Sequence, residues 1–498
     1  MSSKYLYRIW AVPFITVVMS SCSPALPKDY TELNKAVTIS PDYRDLVIPC
    51  NIAPLNFNVD VPAEKIVVRI QGGDDKTILL KGPKVQIPIK KWQALLEANK
   101  SGKYTVEVFA RDEGKWSRYK TFTNTIAADS IDEYLSYRLI EPSYVLYENL
   151  SIRQRHLGSF WEKDIYNNNL VSEKEDFQCI NCHSYQNYQT DNMQFHARAH
   201  HAGTMIVSDG VPQKVNLKTE QLISGGVYPA WHPFEKLIAY SVNNTNQLFH
   251  SKDIQKVEVL DRNSDLILYD IEKNQVSIIQ NDSIALETFP SWSPDGKTLY
   301  YSSARFESRT GDRESDLATY YQEVKYNIFS LPFDIEKRSF GKARLLVDAE
   351  SIGMSALLPR ISPDGKYLLF SMAEYGTFHI WHKNSDLYLV DLQANTIRSM
   401  EELNSKDTES YHSWSSNGRW IVFSSRRDDG SYTRPYIAYF DKQGQAGKPF
   451  ILPQKDPDFH QGFMKSYNIP EFMKEPVSIS PRKFARSLKG DAIQAEMR

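Results

Sequence analysis

The sequence predicts an all-β chain: an N-terminal β-sandwich-like module, a connector, and a β-propeller over the C-terminal two thirds. Three observations carry this reading. A strand–tight turn–strand pattern recurs in phase four times between 228 and 452, and a second hairpin follows each copy. Four strands per repeat, at a spacing of roughly 40–70 residues, is the propeller pattern. Residues 103–110 alternate in a two-residue period, as a half-buried strand does. Aromatic residues make up 12% of the chain, with Tyr and Phe prominent, a composition that favours sheet. At 498 residues the chain is also too long for one ordinary domain.

The first element is a leader. Lys4 and Arg8 form a positive start, and an apolar run follows from Ile9 to Met19, interrupted by Pro13 and Thr16. The run is too short to span a bilayer but suits a secretory signal over 1–21. Met19-Ser20-Ser21-Cys22 resembles the lipobox of bacterial lipoproteins. That resemblance implies lipidation of Cys22, which becomes the new N-terminus; the alternative is an ordinary signal peptide with an incidental cysteine. Ser23 is not acidic and no acidic run follows. By the lipoprotein pattern this implies an outer-membrane anchor facing the periplasm. Residues 22–44 read as a tether. The net charge of −2 gives no concentrated basic face, so nucleic acid is not an expected partner.

Residues 45–126 form the sandwich-like module. Tyr104, Val106 and Val108 fall on one face of a strand, with Thr105 and Glu107 on the other. Trp92, Leu95 and Leu96 share one stripe of a short helix that Gly102 follows. Residues 127–202 are the connector, and the propeller is expected from 203 to 475.

Its clearest copies are Tyr228-Pro229-Ala230-Trp231, Phe289-Pro290-Ser291-Trp292, Leu358-Pro359-Arg360-Ile361 and His412-Ser413-Trp414. Ser-Pro-Asp-Gly follows Trp292, because Pro presets φ and Gly accepts a positive one. A degraded fifth copy begins at Gly203. The tight turns all fall on one propeller face. The irregular segments 243–262, 304–321, 374–383 and 426–434 fall on the other, which is where a partner would dock. Residues 476–498 read as a loose, basic tail.

The chemistry concentrates in the connector at Cys179-Ile180-Asn181-Cys182-His183. In a Cys-x-x-Cys-His motif, two thioethers fix haem c and the histidine ligates the iron. Cys179 and Cys182 are therefore the candidate haem-binding residues and His183 the candidate iron ligand. Haem is attached outside the inner membrane, where the leader would send the chain. A disulfide between Cys179 and Cys182 and a zinc site including His183 remain alternatives. For the sixth position, Met193, His196, His200, His201 and Met205 are within reach. Few residues separate His183 from Gly203, so the haem is expected to rest against the propeller or the connector. Cys50 has no expected partner. Arg426-Arg427 and the series Arg305, Arg309, Arg313 read either as an anion site or as mutually paired loop charges.

The repeat resembles the TolB-type propeller repeat, Pro-x-Trp-Ser-Pro-Asp-Gly-Lys, whose members usually have six blades. Five copies are visible here; a sixth could be closed by the connector or by 453–475. Over most of its length the chain resembles lipid-anchored TolB-like proteins of Bacteroides-type bacteria that join this repeat to a single haem motif. In that group the motif continues Met-x-Phe-His-x-Arg, which implies Met193 or His196 as sixth ligand. The expected function is an envelope lipoprotein with one covalent haem, in electron transfer or redox sensing, with a redox or envelope protein as partner. The alternatives are an envelope scaffold binding protein or glycan, with haem or zinc structural, and an oxidoreductase using an open sixth position.

Overall fold

The computed structural model describes residues 24–73, 76–141, 149–171, 177–252 and 257–498. The leader and Cys22 lie outside the described residues.

The N-terminal module packs a seven-stranded sheet against a three-stranded one. In Lys103–Asp112, Tyr104, Val106 and Val108 are buried as their alternation requires. Glu107, expected on the outer face, is buried as well, because Arg69 and Arg118 pair with its carboxylate. The helix Ile89–Ala98 buries Trp92, Leu95 and Leu96. The tether is shorter than expected. Thr31–Ala36 adds a parallel strand beside Lys115–Lys120, and Ile39–Ser40 pairs with Phe57–Val59.

Six blades, two of them joined in one ten-stranded sheet, surround a channel among the described residues, and their innermost strands touch in a closed ring. These strands are Cys179–Gln186, Val227–Trp231, Ala285–Trp292, Ser355–Ile361, Glu409–Trp414 and Ser466–Met473. The last belongs to a composite blade. Ser466–Met473 pairs antiparallel with Tyr134–Ile140, which pairs in turn with Ser151–His156 and Glu162–Asn167. Strands from both ends of the repeat region thus close the ring in one sheet.

The expected boundary at 203 falls inside a blade. Gly203–Ser208 is the third strand of a sheet that starts at Cys179, so the Cys-x-x-Cys-His motif lies on a blade's innermost strand. The expected connector is therefore three strands of one blade and two of the next. Its propeller pattern was obscured because Cys182-His183-Ser184-Tyr185 stands where other blades carry Tyr-Pro-x-Trp.

The turn chemistry is as the repeat implies. Ser293 Oγ donates to Asp295 Oδ1 at 2.6 Å and accepts from Thr298 N–H at 3.0 Å, and Gly296 takes φ 69°. Ser362, Asp364 and Gly365 repeat the arrangement. The repeat tryptophans tie neighbouring blades together. Trp292 Nε1 donates to Ala230 O at 3.1 Å and Trp414 Nε1 to Arg360 O at 3.0 Å.

Two further expectations are corrected. The tail is ordered structure: helix Pro481–Lys489 buries Phe484 and Leu488 against the motif's blade. Ile493–Gln494 and Glu496–Met497 then extend the outer edges of two successive blades. Residues 243–262, expected to be irregular, are largely a long hairpin between Leu237–Phe249 and Val257–Asp270. Residues 304–321 contain the helix Arg313–Tyr320.

Candidate functional site at the mouth of the propeller channel

Each innermost strand carries one extra residue in the same place, a bulge against its hairpin partner. At that point Cys182, Tyr228, Phe289, Leu358, Tyr411 and Ile469 all adopt φ between 44° and 57°. Non-glycine residues seldom adopt this conformation. Six bulges in register turn these side chains towards a narrow channel void of about 40 Å³, which His183 and Arg360 also line.

The Cys-x-x-Cys-His motif is therefore extended strand. Its backbone is committed to the sheet, with Cys179 opposite Arg198 and Asn181 opposite His196. Asn181 Oδ1 accepts from Cys182 N–H at 2.8 Å, Gln194 donates to Cys182 O, and Arg138 Nη1 donates to Ile180 O at 2.7 Å.

His183 is 1% exposed, and neither ring nitrogen meets hydrogen-bond geometry, although the backbone of Ser136 and Ile469 acts on the ring in favour of its protonated form. Burial, reinforced by the charge of Arg138, lowers its pKa to about 3, so the imidazole is neutral. Burial raises the pKa of the Cys182 thiol. Cys50, Cys179 and Cys182 are all free thiols, so Cys179 and Cys182 are not joined to each other. Among the described residues, no group of three or more His, Cys, Asp or Glu could hold a metal ion.

Above the channel, on the long-loop face, opens a vestibule of about 1080 Å³. Cys179, Asn181, His196 and Arg198 line it on the motif's side, with Asn243 and Trp381 from the loops. Tyr228 and Tyr411 line both vestibule and channel void, so the two spaces adjoin.

The sixth-ligand candidates separate cleanly. His196 lines the vestibule, and its Nδ1 lies 3.1 Å from Thr204 Oγ1. Burial lowers its pKa to about 3, which keeps the ring neutral. Met193 and Met205 are fully buried in an apolar cluster with Ile180 and Phe195 and do not reach the cavity. The cause is strand alternation: Met193, Phe195 and Ala197 face one way, His196 the other. His200 and His201 lie on a short turn at the surface.

The arginine series are paired within the chain. Arg305 meets Asp282 at 3.1 Å, Arg309 pairs with Glu323, and Arg427 reaches the buried Glu409 at 2.9 Å. Arg313 donates to Phe306 O at 2.6 Å, and the Arg426 guanidinium lies 4.3 Å from the Trp381 ring centroid. Arg138, Asn468 and Trp381 belong to the site but escaped the sequence reading, since nothing near them in sequence marks them.

No family model matches the chain, and no curated protein matches it. Solved structures similar to it include an oligogalacturonate lyase in complex with manganese. That match has 11% identity and a TM-score of 0.34, covering 63% of this chain and 72% of that one. Prolyl oligopeptidase B from Galerina marginata matches at 10% identity with a TM-score of 0.36, over 82% of this chain and 62% of its own. The β-propeller domain of Cps50 (Swd1) from Myceliophteria thermophila matches at 9% with a TM-score of 0.32, over 53% and 70%.

Proposed function

We propose that the chain is a lipid-anchored envelope protein that holds one covalent haem at the mouth of its propeller and transfers or senses electrons. The observation that carries this reading is His183: a buried, neutral imidazole neither of whose nitrogens meets hydrogen-bond geometry, directly after a free cysteine in a Cys-x-x-Cys-His motif. A buried polar group calls for a partner, and the donor set of two thiols and an imidazole fits haem. The channel void beside His183 is far too small for a tetrapyrrole. The vestibule reached by Cys179 is at the upper end of ligand-site volumes, roughly 300–1,000 Å³.

In this reading Cys179 and Cys182 hold the porphyrin and His183 the iron. His196 would be the second residue to hold the iron, with its ring fixed by Thr204 from the Nδ1 side. Bound haem would supply one-electron redox chemistry. The chain's own residues tether it, keep the imidazoles neutral and shield one side from water. Cys22 would carry the lipid, with the outer membrane facing the periplasm as the location. The redox or envelope protein partner would approach the long-loop face.

A second reading, a TolB-like scaffold binding protein or glycan, is favoured by one observation. Tyr411-His412 occupies the same bulge in another blade and also buries a histidine, without cysteines. The deciding experiment is the absorption spectrum of protein matured with a haem-attachment system, taken before and after dithionite and in alkaline pyridine. The haem reading expects a covalent haemochrome. Colourless, correctly processed protein leaves only the scaffold.

A further inference from the structure

The vestibule is lined chiefly by uncharged side chains, several with polar atoms that the fold has not used. His196 is 9% exposed; Thr204 Oγ1 engages its Nδ1 at 3.1 Å, and its Nε2 makes no hydrogen bond among the described residues. Asn181 accepts from Cys182 N–H through Oδ1 at 2.8 Å, and Asn246 accepts from Gln247 N–H in the same way at 3.1 Å. Both amides keep their Nδ2 hydrogens for a ligand. Beside these groups stand aromatic rings from other blades. Trp381 and Tyr411 line the same space, each half-buried, and the Arg426 guanidinium 4.3 Å from the Trp381 ring centroid steadies that ring. Phe249, also in the lining, is 71% exposed, an apolar ring that the fold leaves in water.

Charge adds little to this surface. Arg138 donates to Ile180 O and Asn468 Oδ1, and Glu141 meets Lys465 at 3.0 Å. Arg198 and Lys218 are exposed, where salt screens them. Aromatic faces next to a neutral imidazole and uncommitted amides suit a molecule with apolar C–H faces and a rim of hydroxyls. A pyranose is such a molecule: its axial C–H bonds meet the negative face of an aromatic ring, and its hydroxyls both donate and accept.

We propose that the vestibule binds a neutral oligosaccharide, with sugar rings stacked on Trp381 and Tyr411 and hydroxyls bonded to His196, Asn181 and Asn246. This rests on the scaffold reading and deepens it, choosing glycan over protein and giving the glycan a seat. A volume of about 1080 Å³, at the upper end of small-molecule sites, suits a chain of several sugar units.

The test is calorimetric titration of the full processed chain with maltohexaose, cellohexaose and mannohexaose, and with hexamannuronate as the charged counterpart. Saturable binding of at least one neutral sugar is expected. Trp381→Ala should weaken it about tenfold, the loss of one aromatic contact, with its urea midpoint confirming a folded protein. Trp381→Phe should stay within about threefold, and Arg198→Gln/Lys218→Gln should leave the affinity unchanged. No binding of any neutral sugar up to about 10 mM overturns the proposal. So does binding that a folded Trp381→Ala leaves intact, or binding of hexamannuronate alone, which would assign the site to Arg198 and Lys218. An alkaline pyridine spectrum of the same preparation separates the two failures: covalent haem overturns the scaffold reading, whereas colourless protein that binds no sugar overturns the oligosaccharide site alone.

Discussion

Cys182 and Tyr411 occupy the same place on two innermost strands, with φ of 56° and 44°, and each precedes a buried histidine, His183 and His412. The Cys-x-x-Cys-His motif is thus written over a position that other blades fill with Tyr, Phe, Leu or Ile, each bulged towards the channel. His412 Nε2 lies 3.0 Å from Leu369 O, whereas neither nitrogen of His183 meets hydrogen-bond geometry.

Because the bulge tolerates Tyr, Phe, Leu and Ile, the cysteines are dispensable for folding. The double variant Cys179→Ala/Cys182→Ala is expected to unfold within about 2 kcal/mol of wild type in urea, since only small side chains are removed. It should bind no haem covalently. Collapse of the fold would show that the thiols serve the propeller instead.

Alternation of Met193 and His196 across the strand gives opposite spectral outcomes. In haem-matured protein, His196→Ala should keep the covalent haem but change the ferric iron from low to high spin. Met193→Leu should remain low-spin and cost less than about 1.5 kcal/mol. The reverse pattern would make Met193 the ligand.

The C-terminal helix is a strap, and its anchor is Phe484, fully buried with its ring centroid 5.4 Å from that of Phe195. Phe484→Ala is expected to cost about 3–5 kcal/mol in denaturant unfolding. A loss below 1 kcal/mol would show the helix to be loosely attached.

Asp261, 4% exposed, has its carboxyl pushed from 3.8 to about 7 by burial. A raised folded value means that its contribution is present below pH 3.8 and lost as pH rises through 7. Relative to Asp261→Asn, wild type should therefore lose stability between pH 4 and 8, by up to about 4 kcal/mol. Urea midpoints of both proteins across that range measure it; parallel curves would refute the buried ionisation.

By itself, the sequence determined the propeller, because its turns are local. Ser293, Asp295 and Gly296 close their hairpin with bonds that span five residues or fewer, and the pattern repeats wherever those residues do. It also displayed the Cys-x-x-Cys-His motif, since Cys179, Cys182 and His183 lie within five residues. Tertiary structure decided what depends on distant partners. Tyr134–Ile140 recognises Ser466–Met473 across more than three hundred residues to close the ring. The tail finds the edges of two blades, and Arg138 from one blade pins the motif in the next. It also decided that His196 faces the cavity and Met193 the core. The motif's extended backbone has the same origin: hydrogen bonding along a whole strand pair fixes Cys179–Gln186 as strand.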